Sequence, residues 1–372
     1  MWFQWACQKW LDDPNLVLGY RLFTALGGLP ETEAGLALWR LAMLAHADRE
    51  TEDAVLAGPD WVHLRARLEQ TQHGRQFLAG WQAFMSEHGH HGRGELELFN
   101  PRWSERPDYI LELVQGYLRA VDQTNPLENH RLLARERVQL TARCLQRLKH
   151  PVKRWIFSRS LRRAQKLAVN REEWKNQAVR HIALLRRWLL RLGERLWQER
   201  KLDRADDIFF LEVDEIQPVT NGHAPFDVRG VIAQRRAEYE QNLTLTPPPV
   251  VVGRFDPATQ SVPAADADAT VLKGIPVFPG VVTGPARVIL RTDDHEHVLP
   301  GEILVAPFTD PAWTPYFITA AAVVMDLGGI LSHGSIVARE FGLPAVTNVV
   351  SATRIIRTGD LVRVDGQRGV VT

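Results

Sequence analysis

The tract LTLTPPPVVVGRFDPATQSVPAADADAT, residues 243–270, constrains this chain more than any other stretch. Three consecutive prolines remove backbone donors, and the Ala/Asp-rich sequence beyond them has neither helical nor strand periodicity. Residues 244–270 read as a linker that lets two domains move relative to each other. The hydrophobic pattern changes across it. Upstream, apolar residues recur at three and four; downstream, short apolar runs are bounded by Gly and Pro. At 372 residues the chain has room for two or three domains. The prediction is a multidomain α + α/β protein, with a mainly α-helical domain over 1–243 and an α/β domain over 271–372.

In the first part, LALWRLAMLAHA (36–47) and VRHIALLRRWLLRLGERLWQER (179–200) read as amphipathic helices. Leu185, Trp188, Leu189, Leu192 and Leu196 form an apolar stripe, with Arg186, Arg187, Arg191 and Arg195 on the solvated side. Breaks are expected at Gly27-Gly28-Leu29-Pro30, at Gly58-Pro59, and through a long irregular connection from Gly89 to Arg106. IFFLEVDEI after Asp207 reads as a short strand or edge element, followed by a helix near Val228–Glu240.

In the second part, strands are expected at 281–290, 302–307, 320–327 and 343–349. The last segment, 361–372, reads as a hairpin turning at Asp365-Gly366. One helix, 334–342, stands out between strands, closed by Gly342 and followed by Pro344.

Composition narrows the function classes. Apolar residues are 45% and charged residues 24%, as in a globular protein. The longest apolar run, near Ile318–Met325, is too short to span a membrane, and no signal peptide is visible at the N-terminus. Cys7 and Cys144 are too few for a disulfide framework. These features point to a cytoplasmic protein with no membrane association. Residues 131–204 carry 22 Lys and Arg against 6 Asp and Glu. Such a basic stretch suits nucleic acid, but it contains no reading motif and its tryptophans alternate as core, so nucleic-acid binding is disfavoured.

The chemistry concentrates in MDLGGILSHGSIVAREFGLPAV, 325–346. This is strand, glycine turn, histidine, helix, strand. Gly328 and Gly329 let the backbone turn tightly beside a ligand. His333 stands at a helix N-terminus, where unpaired N–H groups and the helix dipole favour an anion. A phosphoryl group on its imidazole would be held by the N–H groups of Gly334, Ser335 and Ile336, with Ser332 as a further donor. Imidazole is a competent nucleophile near neutral pH. Upstream, Arg171 and Lys175 are four apart and share a helix face, a fork and a point charge suited to phosphate. His88, His90 and His91 with Glu95 and Glu97 lack a metal-ligand spacing, and no metal site is expected.

GGILSHGSIVAREFGLPAV resembles the phosphohistidine signature of the β/β/α swivelling domain in the phosphoenolpyruvate-utilising enzymes. VFPGVVTGPARVI (277–289), PFTDPAWTPYF (307–317) and GDLVRVDGQRGVV (359–371) resemble its flanks. Upstream, FMSEHGHHGRGELELFNPRWSERP (84–107), NREEWKNQAVR (170–180) and ERKLDRADDIFFLEVDEI (199–216) resemble the helical substrate domain of the rifampin phosphotransferase branch. The resemblance implies that His333 carries the phosphoryl group and that Arg171 and Lys175 contact it during transfer. His91 stands where relatives have an arginine. The family loads its histidine from ATP and Mg²⁺ on an ATP-binding domain. No GxxxxGK[ST] loop is present here, so that domain is expected in trans or lost by truncation. The chain is then a phosphotransferase component serving a small-molecule acceptor. The alternative is a non-catalytic module that binds a small molecule or a partner.

Overall fold

The computed structural model describes residues 2–13, 17–58, 60–121, 125–243, 245, 271–291, 297–310 and 313–372. The segment read as a linker, 244–270, lies outside the described residues apart from Leu245. The chain divides into two compact units: 1–93, 103–176 and 265–372 form the first, and 94–102 with 177–264 the second.

The first unit begins with helices α1 (Trp2–Trp10), α2 (Val17–Arg21), α3 (Pro30–His46), α4 (Arg49–Leu56), α5 (Trp61–Leu68) and α6 (Gln72–His88). Local chemistry sets their boundaries. Pro30 opens α3 directly after the predicted Gly-Gly-Leu break. Asp48, Asp60 and Thr71 cap α4, α5 and α6 by accepting from first-turn N–H groups. After α6 the chain is irregular, as predicted, with a single 3-10 turn at Trp103–Glu105. Helices α7 (Pro107–Arg119) and α8 (Pro126–Arg147) follow, and α9 (Pro151–Gln198) runs from the first unit into the second.

The same unit contains one mixed sheet. Its strands are β1 (Leu272–Lys273), β2 (Ile275–Phe278), β3 (Val281–Val288), β4 (Ile303–Ala306), β5 (Ala322–Met325), β6 (Ala345–Thr347), β7 (Leu361–Asp365) and β8 (Val370–Val371). Their order is β1-β8-β7-β3-β4-β5-β6-β2. The central pairs β3/β4, β4/β5 and β5/β6 are parallel. The outer pairs are antiparallel.

Strand alternation sorts the core. Leu304, Ala306, Val323 and Met325 join an apolar cluster with Trp39, Phe77, Trp81 and Tyr117 from the helices. Ile303, Val305, Ala322 and Val324 face the other way, against Ala352, Ile356 and Val364. A third cluster joins Phe3, Cys7 and Leu22 to Cys144, Phe157 and Leu161. A helical N-terminal part followed by an α/β part is therefore the architecture, as the hydrophobic patterning predicts.

The details depart from expectation in four places. Residues 205–210 form a 3-10 turn and Val213–Asn221 a helix, α10, where a strand was expected. An apolar run of four cannot by itself distinguish the two. The second unit closes with α11 (Val228–Leu243). The β7–β8 turn spans 366–369, because the Asp365 carboxylate accepts from the N–H groups of Gln367 and Arg368 and so moves the reversal onward. Besides α13 (His333–Phe341), the sheet connections hold two short helices, α12 (Thr314–Thr319) and α14 (Ala352–Ile355). Finally, α9 turns a different face inward. Arg186 is buried and donates to the carbonyls of Leu98 (2.6 Å) and Phe99 (2.9 Å), while Leu185 and Trp188 are exposed. Trp155, Trp174, Trp188 and Trp197 all lie on the surface, not in the core. Two of them carry guanidinium groups, Arg159 near the Trp155 ring and Arg191 near the Trp188 ring.

Candidate functional site

The site is built where β5 ends. Asp326 and Leu327 bond back to Ala306 and Pro307, carrying the chain past β4. The Asp326 carboxylate is held by the Thr353 N–H at 2.9 Å and the Thr353 hydroxyl. Burial raises its pKa, against those hydrogen bonds. Gly328 then adopts φ +145°, and a Cβ there would lie 2.4 Å from Thr347 Oγ1. Only glycine satisfies both the backbone and the space. Gly329 is under no such restraint, since its Cβ position is open. A turn follows, closed by Ser332 N–H on Gly329 O at 3.0 Å.

His333 is the first residue of α13 and Ser332 its N-cap. The N–H groups of Gly334 and Ser335 belong to the first turn, which has no intrahelical acceptors. Ile336 does not share that freedom: its N–H bonds Ser332 O at 3.0 Å. The Ser332 hydroxyl donates to Gly329 O at 2.8 Å and lies 3.1 Å from Ser335 Oγ, so it braces the turn. Gly334 is dictated by packing, because a Cβ would fall 2.2 Å from Thr309 Oγ1 and 2.4 Å from Met325 Sδ. His333 is half-buried, and its Nε2 lies 3.4 Å from Thr314 Oγ1.

Two guanidinium groups hold the turn in front of the histidine. Arg339, buried on α13, donates to Ile330 O at 2.7 Å. Its pKa is pushed down to about 10, chiefly by burial, with Glu340 acting in the opposite sense. Arg171 on α9 donates to Leu331 O at 3.0 Å and is ion-paired with Glu172. Lys175 is half-buried one turn further along α9. A cavity of about 320 Å³ opens beside this turn. Phe23, Leu29, Leu167, Leu331 and Ile336 give it apolar walls, and Arg171 and Arg339 line it too.

The other end of α13 is fastened by groups that sequence reasoning missed. Glu340 is buried, accepting from Leu26 N–H at 3.2 Å, with its other oxygen 3.3 Å from His130 Nε2. Asn129 on α8 donates to Phe341 O at 2.8 Å. Gly342 (φ +70°) packs on Leu133. Gly342 is the left-handed C-cap expected from the sequence, whereas Glu340, His130, Asn129 and Leu133 sit in no pattern that a single sequence exposes. The histidines near 90 are structural neighbours: His88 stacks near Phe84, His91 near Trp103, and His90 Nε2 lies 2.6 Å from Asn176 Oδ1. Among the described residues, no group of three or more His, Cys, Asp or Glu side chains could hold a metal ion. No helix there is long and apolar enough to cross a membrane.

Comparison with known proteins bears on this geometry. The family model for the rifampicin phosphotransferase fourth domain matches residues 1–172, and that for the mobile domain of PEP-utilising enzymes matches 298–369, which contains His333. Over these two stretches the chain is similar to rifampicin phosphotransferases and to the phosphoenolpyruvate-utilising enzymes. Rifampicin phosphotransferase of Bacillus subtilis is 31% identical over all of this chain, and the match spans 43% of the Bacillus protein. Prodigiosin synthesizing transferase PigC of Serratia marcescens is 34% identical over 98% of this chain and 41% of its own length. An uncharacterised protein of Mycobacterium tuberculosis is 37% identical over 76% of this chain and 30% of its own. The chain thus spans less than half the length of these curated relatives.

Proposed function

We propose that this chain is the carrier and acceptor-side part of a phosphotransferase, with His333 as the phosphoryl-bearing residue. An ATP-binding domain, in trans or elsewhere in a longer polypeptide, loads the histidine using ATP and Mg²⁺. An imidazole nitrogen attacks the β-phosphorus of ATP and the bond to the α-phosphate oxygen breaks, releasing AMP; water cleaves the β–γ linkage, releasing inorganic phosphate and leaving the β-phosphoryl group on the imidazole. In the second step a hydroxyl of a small-molecule acceptor attacks, the P–N bond breaks, and the hydroxyl proton leaves. The observation that carries this reading is the place of His333 at the first position of α13, behind a glycine turn gripped by two arginines. The N–H groups of Gly334 and Ser335 and the helix dipole favour the phosphoryl charge there. The open Cβ position of Gly329 leaves room for approach. Arg171 and Lys175 supply positive charge on the α9 side, and the neighbouring apolar cavity suits an acceptor body.

The test is label transfer. With an ATP-binding domain of a family member and β-labelled ATP, the protein is expected to gain an acid-labile, base-stable label at His333. Phosphoramidate, a chemical donor, should give the same modification without the partner domain. Equal labelling of His333→Ala by both routes would overturn the assignment.

A further inference from the structure

We infer that the second unit carries a groove for a small organic cation, an alkylammonium group, walled by Phe99, Phe210 and Tyr239 and rimmed by Glu97, Glu212 and Glu238. The groove encloses about 380 Å³ and takes its lining from the 94–102 loop, the 205–210 turn and α11. It contains none of the residues assigned above to phosphoryl transfer.

Ring geometry is the first argument. Phe99 and Phe210 centroids are 5.2 Å apart at 66°, Phe99 and Tyr239 5.3 Å at 74°, and Phe210 and Tyr239 6.0 Å at 80°. Three rings set nearly perpendicular to one another form the corner of a box, the arrangement that stabilises a cation through ring quadrupoles. The chain already uses these aromatics in that way: Arg236 lies 4.4 Å from the Phe210 centroid, and Arg186 lies 4.9 Å from that of the adjacent Phe209.

Charge is the second argument. Among the described residues Arg235 is the lone cation in the lining, and it is committed, bonding both oxygens of Glu215 at 2.6 and 3.0 Å and lying 3.3 Å from Glu212, while Arg236 beside the Phe210 ring is paired with Asp206 and Asp207. Glu97 and Glu238 make no ion pair within the described residues. The rim is therefore negative. An anion would be repelled, and a neutral apolar guest would strip water from carboxylates without compensation. A cation with an apolar shell satisfies both walls and rim.

Choline and its uncharged isostere 3,3-dimethylbutan-1-ol separate the two contributions, since they differ only in nitrogen against carbon. Titration of the full chain by ligand-observed NMR should give saturable choline binding, with the alcohol at least tenfold weaker. Tyr239→Leu should weaken choline roughly fivefold, the value of one ring contact. Glu97→Gln and Glu238→Gln, both at exposed positions, should weaken it several-fold with unchanged melting. Equal binding of the two probes overturns the inference, as does indifference of choline to all three substitutions. Absence of saturation by about 100 mM overturns it equally.

Discussion

Arg171 Nη2 donates to the carbonyl oxygen of Leu331 at 3.0 Å, so a guanidinium on α9 holds the turn that presents His333. Arg339 holds the preceding carbonyl, Ile330 O, from α13 itself. The first grip comes from the helical part and the second from within the α/β part. They can be removed separately.

Arg171→Ala and Lys175→Ala should therefore leave loading of His333 near normal, because the Arg339 grip persists. Discharge to any acceptor that unloads the wild-type protein should slow by on the order of 10²–10³, the usual cost of one charge-stabilising contact in the transition state. The measurement is the decay of histidine-bound label after acceptor is added. Wild-type discharge in both variants would reduce the pair to a solvated basic face.

The glycines of the turn separate by what surrounds them. Gly334→Ala drives a methyl into Thr309 and Met325, so it should destabilise the first unit by about 1–3 kcal/mol. Gly329→Ala meets open space and should stay within about 0.5 kcal/mol of wild type. Urea unfolding of the two single variants checks the contrast.

Arg186 and Arg187 are adjacent and opposite in role. Arg186→Met leaves the carbonyls of Leu98 and Phe99 without their donor and should cost about 2–4 kcal/mol. Arg187→Met, at an exposed position, should change stability by no more than about 0.5 kcal/mol. Thermal melting reads both, and similar losses would mean that the inward face of α9 is wrongly assigned.

Cys7 and Cys144 sit in one buried cluster. Burial, then Asp13 and Cys144, pushes the Cys7 thiol from 9.0 up to about 12, and burial also raises Cys144. The native state thus holds protons that the unfolded chain releases. This contribution to stability is complete below pH 9 and falls as pH rises toward 12. Unfolding curves over that range should show the decline, and Cys7→Ala should flatten it. At pH 8 a disulfide reagent should react with neither thiol quickly until urea is added; fast native labelling would contradict the burial.

Much of this architecture is legible in the sequence because the signals are local. Pro30 after two glycines, Gly342 at the end of α13, and the continuous apolar runs of β4 and β5 each state their structure within a few residues. The 205–210 turn departs from the strand expected there, since Ile-Phe-Phe-Leu suits either conformation until its neighbours are known. The inward face of α9 was obscured for another reason. An arginine that satisfies two carbonyls behaves as a core residue, which no hydropathy pattern reveals. At the site, the glycine turn and His333 are visible as a motif, whereas Thr314, His130 and Glu340 come together only through packing of distant elements.

The fastening of α13 differs at its two ends, and this bears on how a carrier moving between stations would depart. Near His333, α12 meets α3 so closely that a Cβ on Gly35 would lie 2.7 Å from Thr314 Cγ2. At the far end the hold includes a buried carboxylate, Glu340. A carboxylate recovers hydration as water enters, so resistance there falls once separation begins. The apolar contact offers no such return. The carboxylate end would therefore yield gradually under separation and the Thr314 end all at once.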